Sequence, residues 1–249
     1  DAQNTKMRVI ANNLANVNTT GFKRDRAQFE TLAYQQVVQK GAAADQQNKF
    51  ATGLSLGTGV AVAGTARIDT QGSLQTTGNS MDIAIQGSGY FQVQMPDGST
   101  AYTRAGDFSI TAEGAMVTSE GLPLQPQIQV PQGATAITIG ADGTVSATLA
   151  GQAEPSELGR IEISNFINSA GLESIGNNLL KETAASGAPI TGAAGEEGRG
   201  VLRQGMLEGS NVNIVEELVD MIETQRAYEV NSKMIKATDE MLQFANQQL

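Results

Sequence analysis

The sequence predicts an α+β fold: an antiparallel β domain inserted between N- and C-terminal helices that pair as a coiled coil. Apolar residues recur at helical spacing near both chain ends, whereas the residues between them form short apolar runs broken by Gly, Asp and Pro turns. A chain of 249 residues with 40% hydrophobic content buries a sizeable core. Because it holds 28 glycines but only 7 Phe, 4 Tyr and no Trp, that core is expected to be turn-rich and built from small and branched side chains. The expected boundaries are 1–33 for the N-terminal helix of an inner coiled-coil domain, 34–70 for a connecting segment, 71–208 for the β domain and 209–249 for the C-terminal helix.

Near the start, Met7, Ile10, Leu14 and Val17 step by three, four and three and so share one helical stripe, with Gly21 as a left-handed stop. Asn12, Asn13, Asn16 and Asn18 are mediocre helix formers, so this helix is expected to depend on a partner. The stretch 41–52, GAAADQQNKFAT, has no apolar period and reads as a loop. In the middle, strands are expected at 90–95 and 100–103 around Pro96-Asp97-Gly98, then at 108–110, 115–118, 137–139 and 145–147 with Gly114 and Gly143 at the turns. Further strands are expected at 161–163, 179–182 and 201–207, the whole making an antiparallel sandwich or barrel.

At the C-terminal end Asn213 with Glu216 forms a capping-box pattern, so the last helix is expected to start at Ile214. From there Ile214, Met221, Tyr228, Ile235, Leu242 and Leu249 repeat every seven residues, while the companion row Leu218, Gln225, Ser232 and Asp239 is mostly polar. A second seam, Val230, Met234, Ala237, Met241 and Phe244, runs beside the first, so two neighbours have room to pack on the later half. The helix from 214 to 246 would extend about 50 Å.

Several function classes drop out. Without cysteine or histidine there is no disulfide framework, no thiolate or imidazole metal site and no Ser-His or Cys-His pair. A net charge of -10 opposes nucleic acid, and Lys23-Arg24-Asp25-Arg26 is too short a basic cluster to reverse it. No apolar run reaches the ~18 residues of a membrane span, and no cleaved signal peptide is visible, although the chain opens on Asp1. Gly87-Ser88-Gly89 has Gln92 where a dinucleotide fingerprint needs its third glycine, so it reads as a strand-edge turn. Asp82, Asp97, Asp107 and Asp142 would serve a carbohydrate-active enzyme only if two faced each other across a groove, and most sit at turns where Asp bonds its own backbone. No catalytic, cofactor or metal site is expected. A β-rich adhesin is the other competing class, and it leaves the terminal heptads unexplained.

Three motifs then carry a resemblance. ANNLANVNTTGFK (11–23), which includes Phe22, looks like the N-terminal signature of flagellar rod and hook proteins; YTRAGDF and the glycines after it (102–121) resemble their central block; LEGSNVNIVEELVDMIETQRAYEVNSK (207–233) is similar to their C-terminal signature. Length, the run LESIGNNLLKET (172–183) and the polar segment 34–57 resemble the distal-rod type, with a proximal-rod or hook relative as alternative. The family is expected to begin further upstream than Asp1, so that its N-terminal helix is longer. The resemblance implies a self-assembling subunit of a hollow helical shaft in the periplasm, exported without a visible cleaved signal peptide. Its implied partners are further copies, the proximal-rod and hook-side axial proteins, surrounding ring proteins and the flagellar export apparatus. Interface residues are then expected at Met7, Ile10, Leu14, Val17, Phe22, Ile214, Leu218, Met221, Tyr228, Met234, Ile235, Met241 and Leu242.

Overall fold

The computed structural model describes residues 2–38, 53–149 and 154–247, so the expected loop 41–52 lies outside the described residues. A helix at each end brackets antiparallel sheets, and the two helices touch, as the terminal periodicities predict. The chain divides into two compact units.

The larger unit, 13–24 with 67–214, holds the β core. Its main sheet runs in the order Glu173–Gly176, Leu179–Lys181, Thr100–Thr103, Tyr90–Gln94, Glu162–Asn165, Ile190–Ala193, with Leu124–Gln125 also paired to Tyr90–Gln94. The strands of this sheet pair antiparallel, which suits a chain of hairpins with one face on the core. Alternation sends Phe91, Val93, Ala101, Ile163 and Leu179 to one face, where they join Ile83, Ile85, Phe108, Met116, Val145 and Ile161 in the main core. Phe91 stands at 5.0 Å and 90° from Phe108, an edge-to-face pair. Tyr90, Tyr102, Phe166, Leu172 and Leu180 form a smaller cluster.

Close backbone approach requires glycine at position 106. A Cβ on Gly106 would sit 1.7 Å from the Ile83 carbonyl oxygen, and the same approach lets the Ile83 N–H donate to the Gly106 carbonyl at 2.9 Å. The turn aspartates behave as expected: Asp97 accepts from the Ser99 N–H and hydroxyl (2.8 and 2.6 Å), and Asp142 does the same with Thr144 (3.2 and 2.7 Å). Those bonds hold both carboxyls below the usual range, Ser99 on one and Thr144 on the other.

The smaller unit, 1–12 with 25–66 and 215–249, contains most of both helices, α1 (Ala2–Ala15) and α2 (Ile214–Gln247). It also contains a two-stranded ribbon, Asp25–Thr31 on Val60–Arg67 continuing into Tyr34–Val38 on Leu54–Gly57. The helix ends at Ala15, about one and a half turns before the expected stop at Gly21. Its asparagines turn the chain: Asn16 donates to the Asn13 carbonyl at 3.1 Å, and the Thr19 hydroxyl bonds the Asn16 side chain at 3.1 Å. Strand Asp25–Thr31 was not legible because its residues are mostly exposed and show no buried alternate face.

Candidate functional site

Two features outside the main core concentrate unusual chemistry. The first is a buried ionic node in the larger unit. Lys23 follows the Gly21-Phe22 turn, Arg104 comes directly after strand Thr100–Thr103, and Glu208 ends strand Met206–Glu208. The Lys23 ammonium donates to Glu208 Oε1 at 2.6 Å and to the Thr70 carbonyl at 2.9 Å. Arg104 Nε donates to Glu208 Oε2 at 2.6 Å, and the Gly72 N–H completes the carboxylate's partners at 2.9 Å. All three charged side chains are buried.

The guanidinium's other hydrogen bonds go to backbone. Arg104 Nη1 donates to the Gly89 carbonyl, and Nη2 donates to the Gly87 and Ile85 carbonyls. The glycine turn that superficially resembles a phosphate loop is thus a receptor for arginine. Gly21 is the close-approach point on the N-terminal side: its φ is +69°, its N–H reaches the Glu208 carbonyl at 2.7 Å, and a Cβ would lie 2.6 Å from the Arg104 carbonyl carbon. Asn211 locks the same junction, accepting from the Arg24 N–H at 2.7 Å and donating to the Ile68 carbonyl at 2.8 Å.

Electrostatics follow from this enclosure. Burial acts to raise the Glu208 carboxyl, but Arg104 and Lys23 outweigh it and hold it below the usual range. For Lys23 burial wins over the bond to Glu208, and its ammonium is pushed down. A cleft of about 390 Å³ opens beside the node between Lys23, Asp69, Gln71, Tyr90, Arg104 and Phe166. Burial and then the charge of Asp69 push the Tyr90 phenol up. Both cations beside the cleft are already committed to Glu208 and to carbonyls, so the arrangement is a clamp and not an anion receptor. Among the described residues no cluster of His, Cys, Asp or Glu suits a metal.

The second feature lies on the helices. Lys6 Nζ stands 3.8 Å from Asp220 Oδ1, setting α1 against the first half of α2; as a half-exposed pair it contributes at most about 1 kcal/mol. At 1.5 Å per residue α1 spans about 21 Å and α2 about 51 Å, so α1 covers less than half its partner. Accordingly the buried and half-buried positions, Glu217, Asp220, Met221, Thr224 and Ala227, fall early in α2. From 228 to 244 each described side chain is exposed except half-buried Ser232.

Of the expected interface residues, Ile10 is buried, and Met7, Leu14, Val17, Phe22 and Met221 are half-buried. Ile214, Leu218, Tyr228, Met234, Ile235 and Met241 are exposed. The side chain of Leu242 is outside the described set. Sequence reasoning did not find the node. Its one available signal was that each of the three motifs contributes a member: Lys23 closes the first, Arg104 lies in the second, and Glu208 stands second in the third.

A β domain threaded between touching terminal helices, with a buried clamp inside the β unit and an uncovered apolar helix face, defines a structural protein with no assembled catalytic or metal site among the described residues. The match to known proteins is specific. The family model described as flagella basal body rod protein matches residues 1–23, that for the flagellar hook protein FlgE/F/G D1 domain matches 84–147, and that for the flagellar basal body rod FlgEFG protein C-terminal matches 203–248. A flagellar basal-body rod protein FlgG of Buchnera aphidicola is 52% identical over 247 residues, covering 99% of this chain and 95% of that one. FlgG proteins of Borreliella burgdorferi (50% identical, 98% and 93% covered) and Bacillus subtilis (39% identical, 96% and 91% covered) align along nearly the same length. The chain belongs to the flagellar basal-body rod protein family, and it is a structural protein and not an enzyme.

Proposed function

We propose that this chain is the subunit of the distal rod, polymerising into a hollow helical drive shaft that transmits torque to the hook. The observation that carries this reading is the mismatch in helix length. One α1 leaves the later half of α2 bare, with Tyr228, Val230, Met234, Ile235, Met241 and Phe244 all exposed. A continuous apolar stripe of that length asks for burial, and further copies of the same chain are the occupant that supplies matching helices.

In the assembled shaft, the helices within segments 1–33 and 209–249, Ala2–Ala15 and Ile214–Gln247, form the inner coiled-coil layer, 34–70 connects together with strand Asp25–Thr31, and 71–208 makes the outer β layer. Met7, Ile10, Leu14, Val17, Phe22, Ile214, Leu218, Met221, Tyr228, Met234, Ile235, Met241 and Leu242 line contacts within and between copies. The shaft stands in the periplasm after passage through the flagellar export apparatus, meets proximal-rod and hook-side axial proteins at its ends, and turns inside ring proteins. The exposed ribbon supports the distal reading over the proximal one. A two-stranded ribbon is marginal by itself, and Phe29, Tyr34, Val37, Leu54, Leu56 and Val60 are exposed along it, which gives it an apolar surface for neighbours along the axis. Electron microscopy of the purified chain across a concentration series tests the reading. Straight tubes above a threshold concentration are expected, and monomers at every concentration would refute it.

A further inference from the structure

The chain has no cysteine, so its eight methionines are the sole sulfur atoms open to two-electron oxidation. They are not equally open. Met116 and Met81 are buried, and Met7, Met95, Met206 and Met221 are half-buried. Met234 and Met241 are 64% and 66% exposed. They stand seven residues apart, two helical turns, and so lie on one side of α2 beside Val230, Ala237 and Phe244.

We propose that Met234 and Met241 form a paired oxidation site through which a peroxide reversibly blocks assembly of the free subunit. The inference rests on the assembly reading above. A hydrogen peroxide molecule transfers one oxygen atom to each thioether sulfur: the sulfur lone pair attacks, the O–O bond breaks and water leaves. The flexible apolar side chain becomes a polar sulfoxide whose oxygen requires hydrogen bonds. Val230, Ala237 and Phe244 carry no side-chain donor, so a seam closed over the sulfoxide leaves that oxygen unsatisfied. The free subunit is therefore the vulnerable species. Within a polymer the same packing that needs the thioethers shields them.

The test exposes monomer and preformed polymer to graded hydrogen peroxide, maps sulfoxides by peptide mass spectrometry, and measures the concentration needed to polymerise. Met234 and Met241 should gain oxygen first, Met116 last, and the oxidised monomer should need about tenfold or more protein to polymerise. Treatment with methionine sulfoxide reductases of both stereospecificities should restore the untreated threshold. The double variant Met234→Leu, Met241→Leu should polymerise with or without peroxide. Normal polymerisation of monomer oxidised at both positions, or equal peroxide sensitivity in the double variant, would overturn the inference while leaving the assembly reading intact. An untreated chain that never polymerises would instead overturn the assembly reading and this inference with it.

Discussion

The Lys23 ammonium sits 2.6 Å from Glu208 across 185 positions of sequence, with both side chains enclosed. Arg104 meets the other oxygen of the same carboxylate at 2.6 Å. Residues from the N-terminal, central and C-terminal motifs thus share one carboxylate within the larger unit. Burial makes this clamp sensitive, because each ion has given up water for its partners.

Glu208→Gln should therefore destabilise the β unit by roughly 3–5 kcal/mol, since it leaves two buried cations without a counter-charge. Urea unfolding of the monomer reads this as a lower midpoint with an unchanged slope. A shift under about 0.5 kcal/mol would mean that the clamp contributes little to stability.

Acid sensitivity follows from the same group. Glu208 titrates below its ordinary 4.5 in the folded chain, so the unfolded chain binds more protons between the two values. Its contribution is whole above pH 4.5 and is lost as pH falls through the depressed folded value. Lys23 adds an alkaline effect: its folded value is below 10.5, so stability rises with pH in the window just under 10.5. Thermal melts against pH should show a steeper acid limb in the wild type than in Glu208→Gln, with Asp97 and Asp142 supplying the acid loss that remains. Parallel limbs would remove Glu208 from the account.

Tyr228→Asp and Ile235→Asp should each abolish polymerisation while leaving the β unit folded. Both positions are exposed, 59% and 64%, so the monomer should lose less than about 0.5 kcal/mol. In an assembly each would bury an unpaired charge. Circular dichroism and sedimentation together separate the outcomes, and tubes of normal stability from either variant would reject the seam.

Stiffness is assigned to the ribbon and the polar segment it carries. Deleting residues 41–52 should keep the fold and polymerisation but give curved or more flexible filaments, because contacts that fix axial spacing between copies are lost. Shortening a connection of this length costs little closure entropy, so monomer stability should barely change. Imaged filaments of unchanged straightness would show that the segment does not lock neighbours.

Much of this was written locally in the sequence. Alternation at Phe91 and Val93, the turn at Asp97-Gly98, and the seven-residue repeat starting at Ile214 each depend on neighbours a few positions apart, and the structure places those elements as read. Strand Asp25–Thr31 and the ribbon were missed because a strand with no enclosed face leaves no alternation. Strands Leu74–Thr76 and Ile83–Gln86 were missed as well. Ile83, Ala84 and Ile85 are all buried, so that strand shows a short continuous run instead of alternation. The clamp was invisible for a different reason. No periodicity connects Lys23, Arg104 and Glu208, and only the three-dimensional course of the chain does.

The central claim, that the bare half of α2 is the assembly surface, is tested most directly by labelling. Because the chain has no cysteine, Ile235→Cys places a unique thiol on the seam at a position 64% exposed. Its alkylation rate should be measured in the monomer and in the polymer at one reagent concentration. The account predicts rapid labelling of the monomer and at least about tenfold protection in the polymer, as expected for a site closed by packing. Equal rates in the two states would contradict it.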